Sequence, residues 1–277
     1  MAPRPERAAE IEVHLPDDLG YIQWVAAYAG RVRQEEGGTV GKIVLQVDPS
    51  RGAALVSHTR LCPDPIRFAI PEFQGKGEEG SFAIRQNLVW EEVDAGKRLK
   101  FRLQGNPADL GIEFHGHLSV ETDEVQIRGE LRNVTSQTIQ SGHHCVLLDA
   151  SDCEAMQDTT GERTIVYAET GWASLAKLLD PIHSRNHTVR MGAAYNSVTV
   201  MWKAMGRIDP QKKCVAALAL DKAFAFAGDH PQWPKGILGS YRWGAIAPQH
   251  TQPMKGRIYL MKADLNTLRL RYTNDFK

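Results

Sequence analysis

The sequence predicts an all-β fold, a large and mainly antiparallel β-sandwich or barrel with a few short helices. Apolar residues recur with a period of two in short segments such as 99–103 and 125–131, as expected of strands with one buried face. Turn residues such as those at 105–107 separate these segments at short intervals. Short strands without alternating helices are typical of sandwiches and barrels rather than of βα units.

Helices are predicted at two places, 174–179 and 265–272, the second with Asp264 as its N-cap. We expect a single domain over 11–277. Residues 1–10 are charged and rich in Pro and Ala, so we expect them to form a disordered tail. The predicted strands are 43–47, 82–85, 88–90, 99–103, 125–131, 146–148, 198–202, 214–220 and 256–261.

The charge balance disfavours a nucleic-acid partner. Lys plus Arg and Asp plus Glu are equal at 33 each, so no overall field favours a polyanion. No segment approaches the run of apolar residues that a membrane span needs, and the N-terminus does not resemble a signal peptide. We therefore expect a cytoplasmic protein without a membrane partner, and the oligomeric state stays open.

Four of the ten histidines lie in two pairs on consecutive predicted strands. His115 and His117 are two residues apart, so they share one face of their strand, and Gly116 between them permits close approach. One interpretation is a working site, in which this pair holds a divalent metal as cofactor, with a further His or Glu as ligand. The other interpretation is a solvated sheet face without a cofactor.

The second pair, His143 and His144, alternates, so one of the two faces the same side as the first pair and the other enters the core. A neutral imidazole near pH 7 is a natural general acid/base. We therefore name His115, His143 and His144 as candidate catalytic residues. We expect a concave polar face on which the two pairs meet.

Two further regions supply candidate substrate-binding residues. His183 and His187 lie in a polar loop, which borders a pocket or is an ordinary surface loop. The other candidates combine aromatic rings with adjacent cations, as sugar sites do, although such rings also close the open end of a sandwich. These candidates are Trp202, Lys203, Arg242 and Trp243.

The stretch 114–139, F-H-G-H-L-S-V-E-T-D-E-V-Q-I-R-G-E-L-R-N-V-T-S-Q-T-I, resembles a hairpin of the galactose mutarotase-like superfamily of carbohydrate-active proteins. The stretch 141–148, S-G-H-H-C-V-L-L, resembles the strand whose His acts in the sugar site of that superfamily. The tail 256–276 is similar to the ending of bacterial relatives. The resemblance implies a large antiparallel supersandwich, in which His143 is the site histidine and His115 or His117 is the second imidazole.

Together these patterns predict a carbohydrate-active enzyme that acts on a sugar or sugar derivative by histidine acid/base chemistry. Epimerase-type and lyase-type reactions both remain open, and a metal favours the second because it acidifies the proton that is removed. The alternative is a non-catalytic carbohydrate-binding or accessory protein. In a binding module Trp202, Arg242 and Trp243 matter and the histidines do not.

Overall fold

Two antiparallel sheets, of eight and ten strands, pack face to face in the computed structural model of this chain. The all-β sandwich that the sequence predicts is confirmed. The strand counts refer to the described residues, which are 41–77, 80–85, 87–179, 188–195, 198–211, 213–230 and 233–276. The predicted tail at 1–10 lies outside these ranges.

The chain crosses between the two sheets several times, and most crossings follow a run of two or more strands in one sheet. The first sheet has the order β1-β2-β3-β9-β17-β16-β12, with β4 beside β3, and the second has β11-β10-β14-β15-β18-β8-β7-β6-β5, with β13 beside β14. In chain order the strands are β1 (Ile43–Asp48), β2 (Ala53–His58), β3 (Cys62–Lys76), β4 (Ser81–Ile84), β5 (Leu88–Asp94), β6 (Arg98–Leu103), β7 (Ile112–Val120), β8 (Glu124–Asn133), β9 (Ser141–Asp149), β10 (Thr164–Ala168), β11 (Gly171–Ser174), β12 (Thr188–Arg190), β13 (Ala194–Tyr195), β14 (Val198–Ile208), β15 (Cys214–Leu220), β16 (Ala223–His230), β17 (Trp233–Trp243) and β18 (Thr251–Lys262).

The helices of the described ranges are short. The predicted helix at 174–179 is a single turn, α2 (Leu175–Leu178), and the sequence did not predict α1 (Pro107–Leu110). The C-terminal helix α3 (Leu265–Phe276) begins where predicted, with the Asp264 carboxylate accepting the N–H groups of residues 266 and 267. No helix in these ranges is long and apolar enough to cross a membrane.

The strand β15 is buried on both faces because the core between the sheets covers one face and the C-terminal helix packs on the other. In the second half of its sequence, C-V-A-A-L-A-L, the large inward residues Leu218 and Leu220 alternate with the small outward residues Ala217 and Ala219. The outward residues belong to a second apolar cluster that includes Leu268 of α3. Small side chains on this face therefore leave room for the C-terminal helix.

The chain crosses from one sheet to the other between β8 and β9. The β7–β8 hairpin belongs to the second sheet, whereas β9 lies between β3 and β17 of the first sheet. The strands β8 and β9, which follow each other in the sequence, are thus on opposite layers of the sandwich. This crossing decides where the two histidine pairs lie.

Candidate functional site

The two histidine pairs do not share a face, so the predicted meeting of the pairs is wrong. His115 and His117 lie on β7 in the second sheet, and His143 and His144 lie on β9 in the first. The alternation within each strand was predicted correctly. The sheet that β9 joins was not, because periodicity carries no information about long-range strand pairing.

His144 is a core residue rather than a catalytic one. Its side chain is 1% exposed and stacks on the ring of Tyr241 at a centroid distance of 4.9 Å. Its Nε2 lies 3.2 Å from the Sδ of Met254, and no described residue makes a hydrogen bond to its Nδ1. Burial lowers the pKa of His144 to about 3, so the ring is neutral at pH 7. The prediction that His144 reaches a substrate is therefore not supported by its position.

The burial of the neutral His144 ring should make the free energy of unfolding depend on pH. The folded pKa of His144, about 3, lies below its ordinary value of 6.5, so the unfolded chain takes up a proton first. The stability that this residue contributes is therefore present above pH 6.5 and is lost as the pH falls from there toward 3, by at most about 1.4 kcal/mol per pH unit. Urea unfolding of the wild type and of His144→Phe between about pH 7 and pH 4 should show the weaker pH dependence in the variant. Equal dependences would contradict this account.

His143 faces away from the core, at the centre of a row of polar residues across three strands. It lies opposite Gln74 of β3 on one side and opposite Arg242 of β17 on the other. Its ring is half-buried and contacts the ring of Phe224 edge-on at 5.6 Å. We call the residues gathered here the His143 cluster: Glu72, Gln74, Arg85, His143, Phe224 and Arg242.

Glu72 reaches this outer face because β3 contains a β-bulge. The register between β3 and β9 shifts between Ala69 and Glu72, so that Phe73 keeps facing the core while Glu72 faces outward. The buried Glu72 carboxylate accepts hydrogen bonds from Gln74 Nε2 at 2.9 Å and from Arg85 Nε at 3.2 Å. These two bonds, the one from Gln74 foremost, lower the pKa of Glu72. The carboxylate is therefore ionised at neutral pH.

The imidazole of His143 is neutral at the same pH. Partial burial lowers the pKa of His143 below its ordinary value, and Arg242 lowers it further, while the charge on Glu72 opposes both effects. A neutral imidazole beside an ionised carboxylate can accept a proton, because the carboxylate stabilises the imidazolium that forms. The arrangement is therefore suited to proton transfer.

The face that carries His115 and His117 has a different electrostatic character. His115 is exposed, with its Nε2 3.6 Å from an oxygen of Glu130. Burial lowers the pKa of His117, and the charges of Arg98, Arg128 and Lys100 lower it further. These cations repel a metal ion, and the described residues contain no group of three or more His, Cys, Asp or Glu placed to hold one. Among the described residues, those around His115 and His117 do not fit the predicted divalent metal.

Trp202 and Lys203 are occupied by contacts within the protein. The Trp202 ring lies between Tyr167 at 3.8 Å and Tyr272 of α3 at 4.4 Å, and both rings are stacked on it. A ring covered on both faces has none left for a sugar. The Lys203 ammonium donates to the backbone carbonyl of Asp221 at 2.8 Å. Trp202 thus anchors the C-terminal helix.

Trp243 fills the interior rather than lining a sugar site. It is 1% exposed, and its ring stacks on Phe82 at 6.3 Å. Gly75 and Gly142 border the indole, and a Cβ added to either would come within 2.7 Å of its ring. Trp243 therefore packs within the sandwich, as the alternative interpretation of this residue expected.

Gly142→Ala should destabilise the fold because the indole and the backbone already occupy the space. The added methyl group would lie 2.2 Å from Trp243 and 2.4 Å from the carbonyl oxygen of Gln74. We expect a loss of about 1–3 kcal/mol in the free energy of unfolding, measured by urea denaturation. Gly244→Ala is the matched control, since no atom lies within 4 Å of its added Cβ. Equal stability of the two variants would refute the packing argument.

Of the predicted site residues, the structure brings together His143 and Arg242. His183 and His187 lie outside the described residues. The sequence analysis missed Glu72, Gln74, Arg85 and Phe224. The strand register shifts beside Glu72 and at Phe224. One signal was present, because Pro71 precedes Glu72, and a proline within a strand pattern indicates a bulge or an edge.

No protein-family model matches the chain, and no curated protein matches its sequence. Among solved structures it is similar to Slr1438 from Synechocystis sp. PCC 6803, with 10% identity and a TM-score of 0.47 over 81% of this chain and 96% of that one. It is also similar to a galactose mutarotase-like protein from Lactobacillus casei ATCC 334, with 8% identity and a TM-score of 0.44 over 79% and 99% of the two chains. A polysaccharide lyase matches with 9% identity and a TM-score of 0.47 over 87% of this chain and 34% of the lyase.

Proposed function

We propose that the His143 cluster is the substrate site of a carbohydrate-active enzyme in which His143 acts as general acid/base. The observation that carries the proposal is a half-buried, neutral imidazole on the same outer face as a buried carboxylate that Gln74 and Arg85 hold ionised. Perturbed titratable groups that face each other on an accessible surface are typical of catalytic sites. The sugar is the substrate that the resemblance of 141–148 implies.

In this proposal His143 takes a proton from the substrate and returns it to another atom of the substrate. Glu72 remains ionised and stabilises the imidazolium between the two transfers. Arg242, which lies opposite His143 in the neighbouring strand, donates hydrogen bonds to an oxygen of the substrate. Removal of the proton from an anomeric hydroxyl gives epimerase chemistry, and removal from a carbon next to a carbonyl gives lyase chemistry.

A non-catalytic binding module finds less support in the same contacts. That alternative assigns the sugar platform to Trp202 and Trp243, yet the first ring is stacked on both faces and the second is buried. Of its three residues, Arg242 alone is exposed. The one ring of the cluster, Phe224, is already contacted by His143 and by Arg242.

The test is an activity survey that separates the two reactions. Exchange between anomers is followed by NMR on neutral aldoses, sugar acids and sugar phosphates, and elimination is followed by the ultraviolet absorbance of the unsaturated product. We expect catalysis of one of the two by the wild type, and loss of it in Glu72→Gln. Turnover that persists unchanged in Glu72→Gln would contradict the proposed role of the cluster.

A further inference from the structure

Arg242 carries a charge that no acidic residue of the described part of the chain neutralises. Its guanidinium lies 4.6 Å from the ring centroid of Phe224, and no carboxylate of the described residues forms an ion pair with it. The side chain is exposed, although it stands in register with His143 at the centre of the cluster. A cation in this position is available to a ligand.

The cluster as a whole has an excess of positive charge. Glu72 supplies one negative charge, and its Oε1 is already engaged by Gln74 and by Arg85. Because His143 is neutral, Arg85 and Arg242 outnumber the single carboxylate. Lys76, two residues beyond Gln74 on β3 and therefore on the same face, adds to this excess.

The contact with Phe224 holds the guanidinium in a defined orientation. Arginine commonly packs its planar group over an aromatic ring, which leaves the N–H groups at its edge free to bind. These donors match the paired oxygens of a carboxylate or a phosphate. His143 contacts the same ring of Phe224 edge-on, so this ring positions both Arg242, which binds the anion, and His143, which transfers the proton.

We propose that the substrate is a sugar bearing a fixed negative charge, a carboxylate or a phosphate, which Arg242 binds while His143 transfers the proton. This inference rests on the proposed function and specifies its substrate class. A sugar acid and a sugar phosphate offer Arg242 the same oxygen pair, so the experiment distinguishes them.

The experiment measures binding of D-galactose, D-galacturonate and D-galactose 6-phosphate to the full chain by calorimetry. We expect at least one of the two anions to bind about tenfold or more tightly than the neutral sugar, with an advantage that shrinks as salt is added. Arg242→Met should abolish the advantage. Arg128→Met is the control, because Arg128 is a cation on the outer face of the other sheet.

The possible results separate this inference from the function on which it rests. Binding of the neutral sugar as tight as that of both anions, or an anion preference that survives in Arg242→Met, would overturn the inference. The proposed function would stand in that case if His143→Ala still abolished turnover. Failure of all three sugars to bind, together with no activity in the survey, would overturn both. Circular dichroism of Arg242→Met checks that the variant is folded.

Discussion

His143→Ala should lower kcat by about 10²–10⁴-fold, because the substitution removes the group that accepts and returns the proton. The fold should tolerate the change, since the side chain is half-buried on the outer face of the first sheet. The measurement is steady-state kinetics on the best substrate from the activity survey. KM should change far less than kcat if the residue acts mainly in the transition state.

The matched control is His115→Ala, which removes an exposed imidazole from the second sheet. We expect kcat and KM of that variant to equal those of the wild type. A loss of activity in His115→Ala with full activity in His143→Ala would place the site on the other side of the sandwich. That pattern would contradict the assignment made here.

The pH dependence of the reaction adds a second readout. A base must be neutral to act, so kcat/KM should rise with pH and level off above the pKa of His143, which lies below 6.5. The charge on Glu72 raises the pKa of His143, so any residual activity of Glu72→Gln should level off at a lower pH. A merely structural role of Glu72 would lower activity without moving the profile.

Glu124→Ala should cause the largest loss of stability, about 3–5 kcal/mol in the free energy of unfolding. The Glu124 side chain is 4% exposed, and its oxygens lie 3.0 Å from Arg257 Nε and 2.6 Å from Arg271 Nη2. Arg271 belongs to α3, so this carboxylate joins the C-terminal helix to the second sheet. Its removal takes the shared partner from two largely buried guanidinium groups, so that Arg257 keeps Asp275 at 3.9 Å and Arg271 keeps Asp123.

Chemical denaturation of Glu124→Ala beside Glu130→Ala tests this expectation. Both residues lie on β8, but Glu130 is 59% exposed and is 3.6 Å from His115. An exposed pair of this kind contributes at most about 1 kcal/mol. Similar losses in the two variants would mean that the buried network does not hold the helix.

Local patterns predicted many of the strands and the start of the larger helix, because these depend on neighbouring residues. The period of two in 125–131 and the cap at Asp264 are both seen in the structure. The alternation of His143 and His144 also correctly indicated that one of them enters the core. These features need no knowledge of distant parts of the chain.

The membership of the His143 cluster could not be predicted from the sequence, because it depends on which strands pair. Glu72 and His143 share the outer face of the first sheet because β3 and β9 are neighbours, although the two residues are far apart in the chain. The bulge before Glu72 also reverses the face that simple alternation assigns to it. Trp202 and Trp243, by contrast, were named as site residues although their rings are not available to a ligand. A tryptophan beside a cation looks the same in sequence whether its ring is stacked within the protein or open to a ligand.

The most direct test of the account is an NMR titration of the histidine ring protons with the tightest-binding sugar. We predict that the His143 signals shift on binding and that the pKa of His143 changes, while the signals of His115 and His144 stay in place. Shifts at His115 with none at His143 would contradict the central claim that the substrate site lies at the His143 cluster.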